Sequence, residues 1–350
     1  MLREATQGLV MSRAGGWQDG TALGWAAMLV PEAHDGAREA GGIVGAAIVA
    51  EELARALQPS PLVAISVVAD AIALFGTDAQ QRSILPPLAA GELTATWAIA
   101  EGDRTWDGTD LMTELVTRDG ALVLRGLKSC VPDANTADQL LVTAKGLGGL
   151  TQVLVPTTSN GVSIEPLESL DLGRDLAAVR FDDVTLSAST IVGTPGAAAA
   201  AVERQLHLAA ALTAVDSVGA TQQLFDHTLA YAKDRIAFGR PIGSFQAVKH
   251  LLADAATWLE AAHAAVWHAV DALDAGDADA SEAVTIAKAF TGEHCGRIAQ
   301  DCMQVHGGIA MTWEHDAHRY LRRIRTNDAL YGGPAWHRDR LCTLIGMGAR

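Results

Sequence analysis

Between residues 234 and 246 the chain reads Asp-Arg-Ile-Ala-Phe-Gly-Arg-Pro-Ile-Gly-Ser-Phe-Gln, and three of its side chains, Arg235, Phe238 and Gln246, carry usable chemistry. A guanidinium can fork onto a pyrophosphate, and an aromatic edge can pack on adenine. Further along, Gln304-Val-His-Gly-Gly308 offers an amide and two glycines, Gly307 and Gly308. Without side chains there, a ligand can approach backbone N–H groups closely. Together the two stretches suit a dinucleotide. The plainer alternative is helix-end chemistry alone, with Arg235 on a C-terminal carbonyl.

Three long helices must position these groups. The first, rich in alanine, is expected to run to about Phe238, where Gly239 takes the left-handed cap and Pro241 cannot continue the ladder. Ser244 is expected to cap the second, whose apolar stripe runs Val248, Leu251, Leu252, Ala255, Leu259, Ala262, Val266, Ala269, Val270 and Leu273 before Gly276 stops it. The third carries Ile286, Phe290, Ile298, Cys302 and Val305 and ends at the second motif.

The rest of the chain is helical, then alternating, then helical. Leu23–Val30 is an apolar run closed by Pro31; Gly41–Leu57 and Val63–Phe75 read as helices. Thr77 is a plausible cap for a further helix through Leu85, which Pro86 and Pro87 terminate. From Thr94 short alternating runs read as strands: 96–100, 114–117, 121–124, 139–143, 152–155 and 179–186, with Asp119-Gly120 as a hairpin turn. Residues 1–93, 94–192 and 193–350 are the expected divisions.

The totals exclude several classes. With 41 acidic against 26 basic residues, net −15, nucleic acid is a poor partner. The four cysteines have no CxxC spacing and read as buried thiols in a reducing compartment. The most apolar segment, Pro61–Phe75, is broken by Asp70 and falls short of the ~18 residues a membrane span needs. No export signal opens the chain, so a cytoplasmic protein is expected. His315 and His318 have no supporting carboxylate or cysteine motif, and no metal site is expected.

The spacing from Arg235 through Phe238-Gly239 to Gln246, followed by Gln304 to Gly308, resembles the acyl-CoA dehydrogenase family, flavoenzymes that oxidise acyl thioesters at the α,β bond. Gly76-Thr-Asp-Ala-Gln-Gln-Arg and Leu85-Pro-Pro-Leu-Ala-Ala-Gly also look like its segment leading out of an N-terminal helical domain. The resemblance implies an α+β multidomain fold: helical domain, small β-barrel or sandwich domain, and C-terminal four-helix bundle. It implies FAD as cofactor, with Arg235, Phe238, Gln246, Gln304, Gly307 and Gly308 reaching the FAD of a neighbouring subunit. An acyl-CoA substrate and an electron-transfer flavoprotein or similar acceptor come with it.

The chain also departs from that family. Where members end their first β-domain strand in Thr-Glu and a small-residue loop against the flavin, this one has Ala100-Glu101-Gly102-Asp103 followed by Arg104-Thr105-Trp106. After the Gly126-x-Lys128 turn, Cys130 stands at the family's tryptophan position and Pro132 at its hydroxyl position. The family's base follows a tyrosine near the C-terminus or lies 26 residues before the arginine; here those positions hold Gly332 and Ala209. Glu203 and Asp328 are the substitutes to weigh, although each reads more simply as a solvated carboxylate. Arg319, Arg322, Arg323 and Arg325, then His337, Arg338 and Arg340, form a basic cluster that could meet CoA phosphates or an acidic partner.

These features fit the degenerate subunit of a hetero-oligomer, resembling the bacterial α2β2 steroid-CoA dehydrogenases, with ring contacts and base supplied by a paralogous partner. A self-sufficient homotetramer with a displaced base and a non-catalytic scaffold of the same fold are the competing readings.

Overall fold

The computed structural model of the chain describes residues 1–11, 16–102 and 106–347. Its N-terminal helices are α1 (Leu2–Met11), α2 (Trp17–Thr21), α3 (Gly42–Arg55), α4 (Leu62–Phe75) and α5 (Asp78–Ala89). The apolar run before Pro31 contains a short 3-10 turn, Trp25–Ala27, whose side chains are all buried. Thr77 caps α5 as expected: its hydroxyl accepts from Gln80 N while the Gln80 side chain accepts from Thr77 N. The proline pair, however, does not end that helix at Leu85, since α5 continues to Ala89. Proline's fixed φ is helical. The donors it removes would have served the carbonyls of Arg82 and Ser83, both exposed residues that water can hydrate.

The middle of the chain forms one sheet from β1 (Ala95–Ala98), β2 (Glu114–Arg118), β3 (Ala121–Pro132), β4 (Gln139–Gly146), β5 (Gly149–Pro156), β6 (Val162–Pro166), β7 (Leu176–Leu186) and β8 (Ile191–Val192). The order is β6-β7-β3-β2-β4-β5-β8, with β1 parallel to β4. Asp119 and Gly120 take positive φ, 53° and 82°, in the expected two-residue turn between β2 and β3. β6 (Val-Ser-Ile-Glu-Pro) alternates but lies outside the strand runs read from the sequence, and β8, at two residues, is too short for alternation to show. The sheet has its own apolar interior, including Leu124, Val131, Val142, Val153, Val179 and Phe181, separate from the helical core.

The C-terminal part comprises α6 (Ala199–Asp234), a minimal hairpin of β9 (Ile236–Ala237) and β10 (Arg240–Pro241), α7 (Gln246–Ala275), α8 (Ala280–His306), α9 (Ala317–Ala329) and α10 (Pro334–Leu344). At 36 residues α6 is about 54 Å long and packs against α3, α4, α7, α8 and α9. Such crowding requires small side chains. At Gly219 an added Cβ would lie 2.5 Å from the Glu51 carbonyl oxygen of α3, so no larger residue fits at that crossing.

Buried polar groups tie these layers together. Asp70, the charge that interrupts apolar α4, is fully buried and accepts from Arg38 and from Arg204 of α6, both at 2.6 Å. Asp216, also on α6, accepts from Arg174 at 3.0 Å, Arg323 at 3.3 Å and the Asn327 amide at 2.7 Å. Arg323 also pairs with Asp171, so the β6–β7 loop, α6 and α9 meet in one network. Removing a single partner from such a network strands a buried charge. Arg323→Ala is therefore expected to lower unfolding free energy by about 3–5 kcal/mol in chemical denaturation, whereas an exposed arginine such as Arg82 would change it little.

Candidate functional site

The dinucleotide-type residues converge on one end of the bundle. α6 does not run to Phe238; it stops at Asp234, with Arg235 as its extended C-cap residue. Phe238 and Gly239, with φ of 52° and 78°, instead form the tip of the β9–β10 hairpin. Nor does Ser244 cap α7, because its hydroxyl donates to the Pro241 carbonyl and Phe245 holds the cap position without a side-chain bond. Gln246 is the first residue of α7, and α7 ends at Gly276 in the left-handed conformation, as expected.

The end of α8 is fastened to the same place. His306 packs on Tyr231 of α6 with ring centroids 4.5 Å apart, and its Nε2 lies 3.2 Å from Thr228 Oγ1. Thr228 already donates its one hydroxyl proton to the Leu224 carbonyl, so it accepts here and Nε2 carries the imidazole proton. Burial, then His315 and His227, press the His306 pKa down to about 4, which keeps the ring neutral. Gly307 follows with φ of 69°.

The resulting edge is open to solvent. Arg235, Phe238, Gln246, Gln304, Gly307 and Gly308 are all exposed, Phe238 at 95%. Arg235 has no side-chain partner among the described residues. Ile236, Ile309, Met311 and Trp313 are exposed large apolar side chains of the same two segments. Among the described rings Phe238 meets only Phe245, edge to face, and a cationic, aromatic and amide-bearing edge of this kind is chemically suited to a phosphate-bearing ring ligand held from outside.

The interior positions differ. Ala100 is buried, and its carbonyl accepts from Ser129 N. Lys128 is buried and donates to Glu101 at 2.6 Å and to the Ile99 carbonyl. Burial lowers the Lys128 pKa to about 8. Burial works to raise Glu101, but Lys128 and bonds from Thr113 and Met112 outweigh it and hold the carboxylate below its usual range. Gly126 to Lys128 are not a turn but part of β3, and Lys128 is thus a structural joint. Cys130 is half-buried and Pro132 buried. Asp103, Arg104 and Thr105 of the departing loop lie outside the described residues; Trp106 lies within them.

Each substitute base has a structural partner. Glu203 is half-exposed and pairs with Arg340 of α10 at 2.5 Å. Asp328 bonds Arg325 at 3.1 Å; burial raises its carboxyl to about 6 against the pull of Lys288 and Arg325. Ala209 is fully buried and Gly332 sits in the tight turn before α10.

The basic cluster is not an anion patch. Arg323 is buried with Asp171 and Asp216, Arg319 pairs with Asp316, Arg325 with Asp328, Arg338 with Glu293 and Arg340 with Glu203. Asp316 and Asp328 lie three residues from their arginines, whereas Asp171, Asp216, Glu293 and Glu203 come from elsewhere in the chain, and Arg322 donates to the Leu170 carbonyl. Of the cysteines, Cys295 and Cys302 are buried as expected, but Cys342 is exposed. Among the described residues no group of three metal-ligating side chains forms, and no helix is long and apolar enough to cross a membrane.

With fold and edge in place, comparison with known proteins identifies the class. Residues 3–92 match the acyl-CoA dehydrogenase N-terminal domain and residues 198–342 the acyl-CoA dehydrogenase C-terminal domain. The acyl-CoA dehydrogenase IpdE2 of Mycolicibacterium smegmatis is 31% identical over 91% of this chain and 84% of its own. The chain belongs to the acyl-CoA dehydrogenase family, whose members are FAD-dependent. Acyl-CoA dehydrogenase FadE34 of Mycobacterium tuberculosis is 33% identical across 100% of this chain, which spans only 45% of that relative's length. A solved variant of the Tcur3481-Tcur3483 steroid ACAD superposes with a TM-score of 0.88 at 28% identity, covering 99% of this chain and 96% of that one.

His337, which the sequence groups with the basic cluster, instead donates from Nε2 to the Tyr331 carbonyl at 3.1 Å and so holds the turn that contains Gly332. Burial, then Lys288, depress its pKa to about 3, below the ~6.5 of an unfolded histidine. The unfolded state therefore takes the proton first, and this stability is lost as pH falls from 6.5 toward 3. Relative to His337→Gln, the native chain should lose about 2 kcal/mol more between pH 7 and pH 5 in denaturant titrations.

Proposed function

We propose that this chain is one subunit of an FAD-dependent acyl-CoA dehydrogenase, lending Arg235, Phe238, Gln246, Gln304, Gly307 and Gly308 to a flavin whose ring contacts and base belong to a paralogous subunit, in an α2β2 assembly. The observation that carries this reading is a mismatch within one molecule. The edge residues are exposed, with Arg235 unpaired among the described residues, while both family base positions, Gly332 and Ala209, hold residues that cannot take a proton.

In this reading Arg235 pairs with the pyrophosphate, Phe238 packs on the adenine from its hairpin tip, and the Gly307-Gly308 backbone approaches without side chains in the way. Bound FAD supplies the hydride acceptor at the substrate's β carbon while a carboxylate removes the α proton. The substrate class we assign is a bulky acyl-CoA thioester of the sterol side-chain kind, with an electron-transfer flavoprotein or similar acceptor, in the cytoplasm. Support for the substrate is the word steroid in the name of the 28% identical structure, and that name also couples two gene products. FadE34 leaves more than half of its length unmatched, room for a second chain of this size.

The decisive measurement is flavin content and mass of this chain alone and co-expressed with a paralogous acyl-CoA dehydrogenase chain. Yellow protein only in the complex, with one FAD per pair of chains, supports the reading; stoichiometric FAD in a homo-oligomer of this chain overturns it. In the complex, Arg235→Ala should weaken FAD retention about 10–100-fold, the worth of one charge-assisted contact, without moving the melting temperature of the isolated chain. Glu203→Gln should leave turnover unchanged and shift stability by no more than about 1 kcal/mol, as for any exposed ion pair.

A further inference from the structure

The groups around Gly332 form a built feature rather than a vacancy left by a lost base. Tyr331, at φ 58°, and Gly332, at φ 99°, make a left-handed turn directly before α10. A Cβ placed on Gly332 would lie 2.6 Å from the Trp336 ring and 2.9 Å from His337 Nε2. The direction a side chain would take from this position is already occupied.

The tyrosine beside it is enclosed by aromatic rings. Its ring stacks on Trp97 of β1 at 6.5 Å and 6°, and Trp106 packs against it at 4.9 Å. Burial drives the phenol pKa far up against the pull of Arg174. Trp97 is anchored in turn. Its indole N–H donates to Thr143 Oγ1 at 3.0 Å, Thr143 also accepts from Gln152, and Gln152 exchanges two amide bonds with Gln205 of α6. Thr143, Gln152 and Gln205 are all essentially inaccessible to solvent, so the ladder satisfies itself in a dry seam between sheet and bundle.

The geometry points to an aromatic plug: Trp97, Trp106, Tyr331 and Trp336 fill the seam between the sheet and the 331–333 turn, so this chain's own β domain takes neither an isoalloxazine ring nor a restored base at position 332. This rests on family membership and not on the shared-site reading, since a plugged chain could equally be a scaffold. It converts the missing hydroxyl, tryptophan and carboxylate into one consistent change, in which buried Trp97 and Tyr331 and half-buried Trp106 and Trp336 occupy the volume that ligand would need.

The test is a double-substitution series on the full chain purified alone, read by melting temperature and by titration with free FAD. Gly332→Glu should lower the melting temperature by several degrees and confer no FAD binding. Adding Trp336→Ala should recover part of that loss, making the pair's effect smaller than the sum of the singles. If the glutamate variant does not fold, Gly332→Ala with and without Trp336→Ala gives the same comparison. Additive losses would overturn the claim that the indole occupies the side-chain position. Saturable, stoichiometric quenching of tryptophan fluorescence by FAD in the native chain would overturn the plug itself. Failure of the co-expressed complex to hold flavin would sink the shared-site reading and leave the plug untouched.

Discussion

Asp216 is the joint on which the architecture turns. It lies near the middle of α6, and its two carboxylate oxygens take hydrogen bonds from Arg174, Arg323 and Asn327, which belong to the β6–β7 loop and to α9. A carboxylate at that depth is stable only if its partners are held in place. That requirement fixes the sheet's loop, the central helix and the last helices relative to one another. The amide ladder from Trp97 to Gln205 does the same for the other side of the seam without charge. Close packing along α6 follows from these constraints and from the alanines and Gly219 that permit it.

Much of this was legible in the sequence because periodicity is local. The apolar stripe of α7, the Thr77 capping box and the Asp119-Gly120 turn each depend on residues a few positions apart, and each appears where expected. The two dinucleotide motifs, read as the ends of three antiparallel helices, lie at the matching ends of α6, α7 and α8. Phe238 shows where local reasoning stops. Arg-x-x-Phe-Gly reads as a helix end with a glycine cap, but Phe238 itself adopts positive φ and the segment folds back as a hairpin. The proline pair in α5 misled for a related reason, since proline forbids a donor rather than the helical φ. The basic cluster was illegible for a different one. Arg323 and Arg340 are close in sequence, yet each finds its acid more than a hundred residues away.

Surface and interior have diverged in character. The edge near Arg235 keeps exposed the groups that a nucleotide could use, whereas the seam behind Tyr331 is buried and aromatic and is tied by the amide ladder from Trp97 to Gln205. Stability and exposure are thereby separated: substitutions at the edge leave the packed network alone, and substitutions in the seam disturb packing before they touch any ligand. Few single residues belong to both.

Phe238, Ile236, Ile309, Met311 and Trp313 impose one more condition on the molecule. A chain that displays this much apolar surface in water risks sticking to its own copies as it leaves the ribosome, and a hairpin tip is the part that touches first. Its net charge of −15 works against that, because like-charged molecules repel at the distances where apolar contact begins. The screening length shortens as salt rises, so colloidal behaviour of the isolated chain is set by ionic strength as much as by fold.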